Sequence, residues 1–321
     1  MAHPIWNLMI MTSAWKLGGL TWREFGKCLW KHMRKDEIFD RAAQLSYYFL
    51  LALFPLLLFL TVLLGYFAAA GTKLRDSLLG YLSTVAPASA SALIYETVDE
   101  IANRKGGGKL SFGILAALWA ASNGIRAISK ALNVTYNVEE PRTWWKERLL
   151  SIILTVAFGV LIIFALTLLL YGSAIAEDIA AYLGLSTVFI ITWKIAQWPI
   201  VLAFVLLSFN LIYYFAPNLK HKKWKWVTPG AVVGVALWLL VSFAFRGYIH
   251  YFRAYSVTYG SLGAVIVLLL WFYLTSAAIL IGGEINSITA QAAARTIPPD
   301  AKTYDEESLA DVRNCPKLRT T

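Results

Sequence analysis

The sequence predicts an all-α, polytopic membrane protein with six transmembrane helices, a periplasmic helical hairpin and an N-terminal amphipathic helix. Three observations predict it. The chain of 321 residues is 58% hydrophobic and only 15% charged, against about 25% charged in an ordinary soluble domain. Its apolar residues gather into long uncharged runs, and about 20 such residues are what a helix needs to cross the hydrocarbon core. Its lysines and arginines fall mostly on one side of those runs, the pattern expected of cytoplasmic loops.

Residues 1–45 read as a cytoplasmic N-terminal segment. Within it Trp22, Phe25, Leu29 and Met33 recur at helical spacing, while Arg23, Lys27, Lys31, Arg34 and Lys35 occupy much of the remaining surface. Residues 22–36 therefore resemble a basic amphipathic helix on the inner leaflet. The other reading is a helix whose apolar stripe rests on its own bundle; tryptophan and lysine, which both favour the headgroup zone, tilt the choice toward the leaflet.

The six-helix transmembrane domain covers residues 46–288, with spans at about 46–70, 110–128, 149–176, 187–215, 227–249 and 257–283. The first is uncharged and carries Pro55, placed to kink it. Between the first two spans, Leu74, Leu78, Leu82 and Val85 form one helical stripe, Pro87 breaks it, and Leu93, Thr97, Val98 and Ile101 form a second. That segment reads as a hairpin over the periplasmic mouth. The uncharged part of the second span, residues 110–125, is too short to cross alone, so its helix must continue through Arg126. Lys194 and Arg246 lie near the outer surface and can extend their charged ends to it. Residues 289–321, with Pro298, Pro299 and mixed charges, read as a flexible cytoplasmic tail.

Orientation follows from charge. With the N-terminus inside, residues 1–45, 129–148, 216–226 and 286–321 hold twenty of the 29 lysines and arginines, and the outer segments hold six. Both termini are then cytoplasmic. The net charge of +10 needs no nucleic-acid partner, because a basic inner surface facing anionic lipid accounts for it. The partners expected are membrane lipids.

Polar residues at membrane depth require a partner or a water-filled site. The densest set is on the second span, where Trp119, Asn123 and Arg126, with Ser122, recur at three and four residues and share one face. That face is expected to look inward, and Asn133 and Tyr136 continue the stripe. At about 1.5 Å of rise per residue, Arg126 lies about 24 Å from the outer surface, in the cytoplasmic half. Glu284 ends the sixth span after Gly282 and Gly283, and Arg41 precedes the first. An ion pair of Glu284 with Arg126 or Arg41 would lower the cost of burying each charge. Two readings stay open: a fixed bridge that registers helices, or a polar floor to a cavity. The candidate polar-cavity or helix-coupling residues are Arg41, Gln44, Trp119, Asn123, Arg126, Asn133, Tyr259, Glu284 and Asn286.

Enzymatic signatures are missing. His3, His32, His221 and His250 stand singly, without the spaced ligands of a catalytic zinc or a two-metal nuclease. Neither P-loop, nucleophile elbow nor Cys-x-x-Cys is present. No catalytic, metal or cofactor-binding residue is assigned, and no cofactor is expected. Asp99/Glu100 and Glu139/Glu140 are read as solvated faces or helix ends.

These residues carry a family resemblance. Arg41-Ala-Ala-Gln44-Leu-Ser-Tyr-Tyr with Phe54-Pro55, Trp119-Ala-Ala-Ser-Asn123-Gly-Ile-Arg126 with Ala131-Leu-Asn133 and Tyr136, Pro229-Gly230-Ala231, Tyr259-Gly-Ser-Leu-Gly263, Trp271 and Gly282-Gly283-Glu284-Ile-Asn286 occur in that order. The chain resembles the YihY/BrkB family of bacterial inner-membrane proteins, some of which have carried a ribonuclease BN label, over roughly residues 23–288. The resemblance implies six transmembrane helices in a bacterial inner membrane and no settled activity. The leading functional reading is a transporter or translocation component for a lipidic, amphiphilic or ionic solute. The alternative is a non-catalytic scaffold for envelope proteins, which would then be partners. An intramembrane enzyme or ribonuclease is the weakest reading.

Overall fold

The computed structural model describes residues 20–68, 107–184, 186–219, 226–251 and 253–295. Among them there is no strand. The described residues form seven α-helices, in chain order α1 Trp22–Lys35, α2 Ile38–Ala68, α3 Gly107–Thr135, α4 Trp144–Leu183, α5 Thr187–Phe215, α6 Pro229–Tyr251 and α7 Arg253–Arg295. Among the described residues, four segments are long and apolar enough to cross a membrane, Trp144–Tyr182, Val188–Phe215, Pro229–Tyr248 and Val265–Ala292. Helices α2 and α3 run through the segments read as the first and second spans. The expected periplasmic hairpin lies outside the described residues, as does the tail from residue 296 on. Residues 289–295 are helical and belong to α7, so the tail begins later than the sequence suggested.

Large apolar side chains stand exposed along the candidate spans, among them Phe164, Ile191, Ile195, Leu240 and Phe243. Exposed apolar side chains in this number along helices of spanning length have lipid as their natural solvent. Pro55 and Pro199 sit inside α2 and α5, where each removes one backbone donor from the helical ladder.

Helix α1 begins with a capping box. The Glu24 N–H donates to Thr21 Oγ1 at 3.4 Å and the Thr21 N–H donates to Glu24 Oε2 at 3.0 Å, which satisfies two donors that the first turn leaves free. Arg34 and Lys35 in the last turn complement the helix dipole. The apolar face is occupied by protein: Phe25 and Cys28, with Leu20, form one buried cluster with Ile285, Ile288 and Ala292 of α7. This corrects the expectation that the stripe lies in the leaflet. What remains exposed is the basic face with Trp22 and Trp30, and Arg34 lies over the Trp30 ring.

The chain divides into two compact units. The first takes its described residues from 1–47, 127–143 and 205–321, and the second from 48–126 and 144–204. In the first, the chain turns between α1 and α2 through Glu37 at a φ of 50°, and the Arg41 Nε donates to the Asp36 carbonyl at 2.9 Å to close that turn.

The same unit holds a close approach of α6 to α7. Thr228 caps α6, its Oγ1 accepting from the Ala231 N–H at 3.2 Å, and Pro229 fills the first helical position, where no donor is needed. The next donor, the Gly230 N–H, is satisfied across helices by Asn286 Oδ1 at 2.8 Å. Asn286 Nδ2 then donates to Thr228 Oγ1 at 3.0 Å, and Asn210 Oδ1 of α5 accepts from the same hydroxyl at 3.1 Å. Tyr213 of α5 donates its hydroxyl to the Ile279 carbonyl at 2.7 Å. Asn286 thus anchors one turn of α6 to α7, a role in helix coupling.

Candidate functional site

Four of the sequence-predicted residues fall in two polar clusters, Trp119, Asn123 and Arg126 in the second unit and Asn133 in the first. In the second unit α3 presents Trp119, Asn123 and Arg126 to the first turn of α4. Arg126 makes a two-pronged ion pair with Glu147, Nε to Oε1 at 3.1 Å and Nη2 to Oε2 at 3.0 Å. Beside it Arg148, 2% exposed, donates from Nη1 to Asn123 Oδ1 at 2.7 Å and from Nη2 to the Trp119 carbonyl. Its guanidinium lies 3.6 Å from the centre of the Trp119 ring, a cation–π contact that partly replaces lost water. Trp144 sits against Trp119 with ring centres 5.8 Å apart, and Trp145 against Trp144 at 4.4 Å.

Two guanidiniums and one carboxylate make this cluster net positive. Arg148 Nε is buried without a hydrogen-bond partner. The sequence stripe on α3 was legible; its residues meet the first turn of α4, and Trp119 and Asn123 retain exposed surface. The missed members are Glu147 and Arg148, which were counted with a basic inner loop. The signal that could have found them is a charged pair in the first turn of a long apolar span, directly after Trp144 and Trp145.

In the first unit Asn133 is a hub. Its Nδ2 donates to Glu140 Oε2 at 2.6 Å and its Oδ1 accepts from the Asn218 N–H at 2.8 Å. Glu140 also takes two donors from Arg142, and Arg142 Nη2 reaches the Ala216 carbonyl just past the end of α5 at 3.0 Å. Ser129 Oγ donates to the same carbonyl. Burial alone would push the Glu140 carboxyl up, but the hydrogen bonds from Arg142 and Asn133 outweigh it and hold the group below the usual carboxylate range. Glu140 is therefore a structural partner, which corrects its reading as a solvated face.

Glu284 of α7 is fully buried, and neither carboxylate oxygen has a hydrogen-bond partner. The expected ion pair is overturned: Arg126 is bonded to Glu147 and Arg41 to the Asp36 carbonyl. Gln44 stands exposed, and the Tyr259 side chain lies outside the described residues. Lys194, read as snorkelling alone, pairs with Glu177 at 3.1 Å with both side chains about half exposed, so the pair adds little stability. Among the described residues no three His, Cys, Asp or Glu side chains converge as metal ligands.

Comparison with known proteins places these features. The family described as Virulence factor BrkB matches residues 29–306. A Bacillus subtilis (strain 168) protein named "Putative ribonuclease-like protein YfkH" is 40% identical over 264 residues, covering 82% of this chain and 94% of that protein. A UPF0761 membrane protein of Xanthomonas campestris pv. campestris (strain B100) is 25% identical over 296 residues, 87% of this chain and 65% of the relative. One from Xanthomonas oryzae pv. oryzae (strain PXO99A) is 24% identical over 273 residues, covering 83% and 60%. The chain thus spans less than two thirds of the Xanthomonas relatives. No solved structure matches it. The matched stretch takes in both polar clusters and every candidate membrane span, and the chain belongs to the BrkB family of membrane proteins.

Proposed function

We propose that this protein is a six-span inner-membrane protein, with both termini cytoplasmic, that works as a transporter or translocation component for a lipidic, amphiphilic or ionic solute. One observation carries the reading: a charged side chain, Glu284, is fully buried on the otherwise apolar helix α7, and Glu147 and Arg148 are buried at the start of α4, at the cytoplasmic end of its span. A bundle that served only as a scaffold would be as stable, or more so, with apolar residues there. Ionisable groups retained at membrane depth are characteristic of solute and ion paths. The basic asymmetry of the loops supports the orientation.

The protein reconstituted in lipid nanodiscs and released for native mass spectrometry is expected to retain a defined lipid or amphiphile, and to lose it in Arg148→Met. A bare protein that also moves no solute across liposomes would sink transport and leave the scaffold reading. The same preparation is expected to cleave no RNA beyond a mock purification. Cleavage that copurifies and disappears on a point substitution would overturn the non-enzymatic reading.

Topology has its own test. A reporter fused after Ala181 is expected to report the periplasm, and one after Lys222 the cytoplasm. The opposite result at either position ends the six-span arrangement.

A further inference from the structure

The buried acid on α7 has a use that does not depend on which solute, if any, is moved. Glu284 is 0% exposed, and both its carboxylate oxygens lack hydrogen-bond donors. The residue before it is tightly packed. A side chain at Gly283 would meet Leu132 Cδ2 at 2.6 Å, Thr135 Cγ2 at 3.6 Å and Tyr213 Cε1 at 3.7 Å. Thr135 Oγ1, also buried, has no partner either. Among the described residues, the titratable and charged groups near Glu284 are Lys35 and Asp36 where α1 ends and Tyr136 just past α3.

A carboxylate anion removed from water, with no donor on either oxygen, is not held as an anion; such a group takes up a proton instead. We propose that Glu284 is a proton-binding site, its carboxyl carrying a proton in the folded protein at neutral pH. Uptake and release are the simple exchange of one proton between the carboxyl oxygen and water, with no other reactant. At 0% exposure the acid is out of reach of water while this packing holds.

The test is infrared difference spectroscopy of the full chain in nanodiscs of phosphatidylethanolamine and phosphatidylglycerol. At neutral pH the wild type is expected to show the carbonyl stretch of a protonated carboxylic acid, shifted by exchange into deuterium oxide and missing in Glu284→Gln. The wild-type band is expected to vanish at alkaline pH, and at a lower pH in Asp36→Asn, which removes the neighbouring anion. That second variant keeps the test decisive if the glutamine chain folds poorly. A protonated-acid band unmoved by either substitution would belong elsewhere and overturn the proposal. So would a band that appears only when sodium and potassium are replaced by choline, since the site would then hold a metal cation. Loss of transport with the band intact would strike the function proposed above and leave the proton site standing.

Discussion

Gly230→Ala is expected to abolish recovery of folded protein. A Cβ at that position would collide with the backbone carbonyl oxygen of Gly282 and stand 2.5 Å from Asn286 Cγ. The first contact is with backbone of the facing helix, which cannot rotate away as a side chain can. Relief requires α6 and α7 to separate, and with them would go the Gly230 N–H to Asn286 bond and the Thr228 bond that follows it. Overpacking a dense interior costs about 1–3 kcal/mol, occasionally more, and each polar group left buried and unpaired adds about 1–3 kcal/mol. The combined loss exceeds about 3 kcal/mol, a large share of the roughly 5–15 kcal/mol that holds an ordinary domain. Gly26→Ala supplies the contrast. Its Cβ meets nothing within 4 Å on the exposed side of α1, and alanine is favoured over glycine within a helix by about 0.8–1 kcal/mol. Size-exclusion profiles in detergent and thermal midpoints of the two variants check both directions. Wild-type behaviour of Gly230→Ala would show that α6 and α7 do not approach as described.

The second large effect concerns the charge pair on α3 and α4. Arg126→Gln removes both donors from Glu147, whose side chain is only 8% exposed. Stranding one member of a buried pair costs about 3–5 kcal/mol, and the partial exposure of Arg126 at 21% places this near the low end. Glu147→Gln strands Arg126 beside Arg148 with no anion between them, so it too is destabilising. The double variant leaves Arg148 as the single charge, still bonded to Asn123 and stacked on Trp119. It is expected to recover at least about 1 kcal/mol relative to the sum of the single losses, the non-additivity that contacting residues show. Denaturation midpoints of the four proteins give the coupling directly. Strictly additive losses would mean that the pair contributes no interaction. Glu284→Gln combined with Arg126→Gln is expected to be additive, because Arg126 has its partner elsewhere.

Much of the fold was legible because lipid imposes a length and polarity that a sequence cannot hide. The runs that became α4 to α7 are recognisable by their near absence of charge, and α1 by the helical spacing of Phe25, Leu29 and Met33. The Trp119, Asn123 and Arg126 face was also legible, since three- and four-residue spacing places side chains on one side of any helix. Asn286 was legible as polar within an apolar stretch, although its bonds to Gly230 and Thr228 were not.

The partners were decided only in three dimensions. Periodicity fixes which residues share a face, but not which other helix that face meets or in what register. Glu284 and Glu147 are both acids near the end of a span, and nothing in their spacing tells which one Arg126 will meet. The choice follows from docking: α4 lays its first turn against α3, bringing Glu147 to Arg126 and Arg148 to Asn123, while Gly230, Gly282 and Gly283 let α7 come so close to its neighbours that Glu284 is sealed away from any donor. For α1 the sequence determined an apolar stripe, and the tertiary structure covered it with α7. A stripe specifies only that water must leave, and protein and lipid remove water equally well.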